Sequence, residues 1–81
     1  MIPFAEIVAD YKNGHKYLEY DGKFGEWEYT IILEHDTLIF SFKDFENFAE
    51  FAIDMEEVLE MDESEFHAMV HSGIYYSCLP F

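Results

Sequence analysis

Glu26-Trp27-Glu28-Tyr29-Thr30-Ile31-Ile32-Leu33, then Glu34-His35-Asp36, then Thr37-Leu38-Ile39-Phe40-Ser41-Phe42-Lys43, is the stretch whose reading decides the fold. Both runs alternate with a period of two. In the first, Trp27, Tyr29, Ile31 and Leu33 point one way while Glu26, Glu28, Thr30, Ile32 and Glu34 point the other. In the second, Leu38, Phe40 and Phe42 oppose Thr37, Ile39, Ser41 and Lys43. The polar triplet between them is a turn, so the stretch reads as an antiparallel hairpin with one face in the core and the other wet and largely acidic. Upstream, Lys16 to Tyr20 followed by Asp21-Gly22 supplies another strand and turn, which makes a three-stranded meander.

The flanks read as helices. Pro3 suits a first helical position, and Phe4, Ile7, Val8 and Tyr11 share one face until Asn13-Gly14, giving a helix over about residues 3 to 12 with Glu6 and Asp10 on its opposite side. Asp44 is placed as the N-cap of a long helix from Phe45 to about Glu60, whose broad apolar face holds Phe45, Phe48, Ala49, Phe51, Ala52, Met55, Val58 and Leu59. On its far side Glu46, Glu50, Asp54 and Glu57 fall within about 80° of one another and form a stripe, while Glu56 lands near the apolar sector. Asp62-Glu63-Ser64-Glu65 has the spacing of a capping box and opens a last helix through Phe66, Met69 and Val70 that Gly73 would close. The tail from Ile74 to Leu79 either adds an edge strand or packs on the core. The order α-β-β-β-α-α, with an optional C-terminal strand, describes one α+β domain over residues 1–81, with helices on one face of the sheet.

Composition narrows the function. The 81 residues carry 18 Asp plus Glu against 4 Lys plus Arg, a net charge of −14. All the basic residues are lysines (Lys12, Lys16, Lys23, Lys43), so the chain lacks the arginine fork that reads guanine edges and grips phosphate, and direct nucleic-acid binding is excluded. At 51% apolar and 20% aromatic it is no disordered acidic tail. A single cysteine, Cys78, an amino terminus without the basic start and apolar run of an export signal, and no apolar run near ~18 residues together lead to the expectation of a cytoplasmic protein with no membrane contact.

Catalytic and metal constellations are not found. His67 and His71 have the i, i+4 spacing of two zinc ligands, but Glu63 on the same helical line closes poorly around a tetrahedral ion, and two polar residues on an exposed helix side are the preferred reading. Glu34-His35-Asp36 puts an acid and a base in one turn, yet neither Ser41 nor Cys78 carries a nucleophile signature. The glycines are scattered singly, and the acidic run 54 to 65 lacks the calcium-loop pattern. The expectation is a non-enzyme with no cofactor and no metal.

The acidic surface remains. Helix neighbours four apart lie about 6 Å from each other, comparable to adjacent phosphates along a strand, so the 46, 50, 54, 57 stripe would present a phosphate-like row. Glu26, Glu28 and Glu34 on the sheet's outer face, Asp21 and Asp36 at its turns, and Asp62, Glu63 and Glu65 before Phe66 extend the candidate binding surface. In composition and in its order of a short first helix, a three-stranded meander and two helices, the last entered through Asp62-Glu63-Ser64-Glu65, the chain resembles the small acidic anti-CRISPR proteins of phages and mobile elements that act as DNA mimics against a type II RNA-guided nuclease. That resemblance implies stoichiometric inhibition by occupation of a basic DNA-binding groove, without a cofactor, in a bacterial host cell; it carries over no individual residue role. An immunity or antitoxin protein that covers a basic toxin fits the same charge. A homodimeric structural domain would instead use exposed aromatics such as Tyr17, Tyr75 and Phe81.

Overall fold

A computed structural model describes residues 1–80 as an α+β unit. Its elements are α1 (Phe4–Lys12), β1 (Tyr17–Phe24), β2 (Trp27–Glu34), β3 (Thr37–Lys43), β4 (Asn47–Asp54), α2 (Met55–Val58), α3 (Glu63–Ser77) and β5 (Leu79–Pro80). The strands form one antiparallel sheet in the order β1-β2-β3-β4-β5. Phe81, expected above at an aromatic interface, lies outside the described residues. No helix of the described residues is long and apolar enough to cross a membrane.

The alternation read from the central hairpin places Tyr29, Ile31, Leu33, Leu38, Phe40 and Phe42 in the core. Ile7 from α1, Met55 and Val58 from α2, and Phe66, Val70 and Ile74 from α3 close over them. All helices therefore cover one sheet face, and the other is left open. Phe4 of α1 meets Phe66 of α3 with ring centroids 4.8 Å apart.

The long helix expected over residues 45–60 is a strand followed by one helical turn. The segment carries both periods: its apolar residues fill a helical sector, but Ala49, Phe51 and Ile53 also alternate with Glu50, Ala52 and Asp54. The neighbouring strand decides between them. Without β4, β3 would be an edge with open peptide groups, and Phe40 and Phe42 would have cross-strand partners on the β2 side alone. With it, the Phe51 ring stacks on Phe40 at 4.8 Å and lies 5.9 Å from Phe42. Asp44 caps as expected but caps a turn, its Oδ1 accepting from the backbone N–H groups of Glu46 at 2.8 Å and Asn47 at 2.7 Å.

Two glycines were misplaced by the same kind of reading. Asp21-Gly22 is not a turn: both residues sit inside β1, paired with Thr30 and Tyr29. The turn comes at Gly25-Glu26, where Gly25 has φ 65° and takes the first central position that a two-residue hairpin loop reserves for glycine. A Cβ on Gly22 would lie 2.6 Å from the Tyr29 hydroxyl oxygen, so the missing side chain makes room for that ring. Gly73 does not close α3, which runs on to Ser77. A Cβ there would meet the Phe51 ring at 2.5 Å, so Gly73 lets the helix approach β4 closely. The capping box at the start of α3 is present, with Asp62 Oδ1 accepting from Glu65 N at 2.8 Å and Glu65 Oε1 from Asp62 N at 3.1 Å. Of the tail, residues 74–77 stay helical, and Leu79 and Pro80 form the short edge strand against Phe48 and Asn47.

Candidate functional site

The register of the four long strands fixes what the open face presents. One cross-strand row holds Tyr17, Glu34, Thr37 and Asp54. The next holds Glu19, Ile32, Ile39 and Ala52, the third Asp21, Thr30, Ser41 and Glu50, and the last Lys23, Glu28, Lys43 and Phe48. Acids therefore line both margins: Glu19 and Asp21 on β1, Glu50 and Asp54 on β4. Between them runs a trough floored by Ile32, Ile39, Thr30 and Ser41. The two margins are three strand spacings apart, about 14 Å, and side chains two apart along a strand are separated by about 7 Å. The face is polarised along the strands. Glu34 adds to the acidic end, while Lys23 and Lys43 dilute the other.

Four carboxylates, two of them on the open face, accept hydrogen bonds from neutral hydroxyls. Tyr17 Oη donates to Glu19 Oε2 at 3.0 Å, Thr30 Oγ1 to Asp21 Oδ1 at 2.9 Å, Tyr11 Oη to Asp36 Oδ1 at 2.7 Å and Tyr20 Oη to Asp10 Oδ2 at 2.7 Å. These bonds fix geometry without cancelling charge. The phenols respond in kind. The bond to Glu19 raises the pKa of Tyr17, and the bond to Asp36 raises that of Tyr11, where Glu56 adds a smaller push. Burial first, then Asp10 and Glu6, raises Tyr20; burial first, then Asp21 and Glu6, raises Tyr29. Asp10 thus faces the sheet and not the opposite side of α1, as its spacing from Glu6 had led one to expect. Among the described residues one ion pair forms, Lys43 Nζ to Glu28 Oε2 at 3.9 Å, with both side chains well over half exposed. Such a pair contributes little.

The expected 46, 50, 54, 57 stripe is split. Glu50 and Asp54 join the open face, Glu46 lies in the β3–β4 turn beside Phe45, and Glu57 sits on α2. Glu28, Glu34 and Asp21 lie on the open face. Glu26 is at the β1–β2 turn, and Asp36 is turned toward Tyr11. Asp62 and Glu65 are engaged in their cap, and Glu63 is exposed in the first turn of α3, where Glu56, Glu57 and Glu60 lie just upstream. Glu19 escaped the sequence reading, although the Tyr17/Glu19 alternation was its signal. His67 and His71 pack on the Phe24 ring, with centroids 6.0 and 4.9 Å away, and no group of three metal-ligating side chains occurs among the described residues. No family model, curated protein or solved structure compared with the chain matches it.

Proposed function

We propose that the chain is a stoichiometric inhibitor of a nucleic-acid-handling enzyme, a CRISPR effector nuclease first among them, and that its open sheet face occupies the enzyme's basic DNA groove. One observation carries the reading: acids line both margins of that face with no lysine in the rows of Glu19, Asp21, Glu50 and Asp54, and on the β1 margin Glu19 and Asp21 are held by the hydroxyls of Tyr17 and Thr30, ordered without being neutralised. A face built only for solubility needs no such ordering, and one built for stability would pair acids with lysines. Two carboxylate margins about 14 Å apart flank an uncharged trough, a spacing of the same order as the roughly 12 Å major groove between phosphate backbones. Opposite fields would steer the encounter, making association fast and salt-sensitive.

The test is a DNA-cleavage assay with type II RNA-guided nucleases. Inhibition is expected to approach completion near one equivalent and to fade between roughly 50 and 500 mM salt, as the Debye length shrinks from about 14 to 4 Å. It should be lost in the quadruple variant Glu19→Lys, Asp21→Lys, Glu50→Lys, Asp54→Lys, with an unchanged circular dichroism spectrum. Full inhibition by that variant would remove the open face from the mechanism, and no inhibition of any such nuclease by the wild type would remove the CRISPR target.

A further inference from the structure

The edge of β4 is incompletely covered. β5 pairs with Asn47 and Phe48 and then ends, leaving the stretch from Glu50 to Asp54 without a strand beside it among the described residues. The register shows which peptide groups are free. Asp44 N bonds to Asn47 O at 2.9 Å and Met55 N to Asp36 O at 2.8 Å, so the hydrogen-bonded pairs with β3 are those of odd-numbered β4 residues, Ala49, Phe51 and Ile53 among them. The peptide groups of Glu50 and Ala52 therefore point outward.

The two sides of this edge differ. On the open face stand Glu50 and Asp54. On the helix side, Phe51 and Ile53 with Met69, Ser72, Gly73 and Tyr76 of α3 line a shallow, mainly apolar trough of about 340 Å³, with Glu57 of α2 at its border. Tyr76 is 82% exposed and forms an edge-on pair with Tyr75, 77% exposed. A strand laid along the edge would send alternate side chains to opposite sides: those opposite Glu50, Ala52 and Asp54 to the acidic face, those opposite Phe51 and Ile53 into the trough.

The geometry points to this edge as a strand-docking site for an extended partner segment of about five residues that alternates basic and apolar side chains. Main-chain bonds to Glu50 and Ala52 would hold it, the acids would select lysine or arginine, and the trough would take the apolar residues. Charge complementarity sets this occupant above a second copy of the chain. Two-fold pairing of β4 edges about Ala52 sets Glu50 of one copy opposite Asp54 of the other, and like charges directly opposite are destabilising. The inference goes beyond inhibition by the open face, because it requires backbone pairing and not charge alone.

The probe is the acetylated, amidated heptapeptide Lys-Val-Lys-Val-Lys-Val-Lys, titrated calorimetrically at low salt, with amide exchange followed at Glu50 and Ala52. Binding should slow exchange at both amides. The same peptide N-methylated at the alternate residues that face β4 should bind at least about tenfold more weakly, as should the parent peptide with the variant Ala52→Pro, since proline at an edge position removes only an outward N–H. The N-methylated peptide tests the pairing even where Ala52→Pro impairs folding. Equal affinity for parent and N-methylated peptides, or for a peptide with Glu in place of Lys, would overturn the inference. Concentration-dependent dimers with exchange protection at Glu50 and Ala52 in the free protein would overturn it in favour of a second copy. Nuclease inhibition by the wild type without any pairing of the peptide to it sinks this inference alone, and pairing without inhibition sinks only the earlier reading.

Discussion

Tyr20 is buried in the core with its hydroxyl bonded to Asp10, and its phenol titrates well above the ordinary 10.0 because burial and the neighbouring carboxylate both disfavour the charged form. A raised folded-state value gives a definite sign. Below pH 10 both states are protonated and stability is constant; above it the unfolded chain releases its proton first, so stability falls as pH rises toward the folded value. Tyr20→Phe should cost about 1–2 kcal/mol at pH 7, since a partly buried carboxylate loses its donor. The variant escapes the alkaline loss, so urea unfolding should find the gap to wild type narrower at pH 11 than at pH 7. A constant gap would contradict the assignment. Gly73 makes a second case at this scale. Gly73→Ala gains up to about 1 kcal/mol of helix propensity, yet the new methyl would press on the Phe51 ring at 2.5 Å. Overpacking against a ring fixed by two stacked neighbours typically costs about 1–3 kcal/mol, so a net lowering of the melting temperature is expected. A rise would mean that the helix and β4 separate freely.

Among the elements, the central hairpin and the capped start of α3 were legible because their signals are local: strict alternation in 27–43, and an Asp and a Glu three apart. β4 was not. Its run from Phe45 to Leu59 is rich in good helix formers and fills a helical face as well as it alternates, and what chose the strand was the unpaired edge of β3, which no window of sequence contains. The same tertiary choice moved Glu50 and Asp54 from a helix stripe to a sheet margin. Two of the candidate site residues were therefore identified by charge but located on the wrong surface. This conflict between local and global preference is measurable. A synthetic peptide of residues 44–61 should turn helical in trifluoroethanol, as its propensity dictates, whereas in the whole protein the amides of Phe51 and Ile53 should exchange slowly as members of the ladder. A peptide that resists helix formation would place the strand preference in the segment itself.

For the whole molecule, 18 acids on a body about 37 × 22 × 18 Å place many like charges within one Debye length, about 10 Å at 0.1 M salt. Salt should then act with opposite signs on two properties of the same protein. Screening relieves self-repulsion, so the melting temperature should rise between low salt and 500 mM, each 1 kcal/mol gained corresponding to about 4–8 °C for a domain of this size. The same screening should weaken capture of a basic partner. The double variant Glu50→Lys, Asp54→Lys separates the two. Each reversal removes an acid from a margin where Glu34 and Thr37 share the row of Asp54, and Asp21 and Ser41 that of Glu50, with no lysine in either row. At low salt the variant should melt at or above the wild-type temperature while losing partner binding, the pattern of charges retained at a cost to the fold. A variant that melted well below wild type would make Glu50 and Asp54 supports of the sheet, and their charge could no longer be read as held in reserve for a cationic surface.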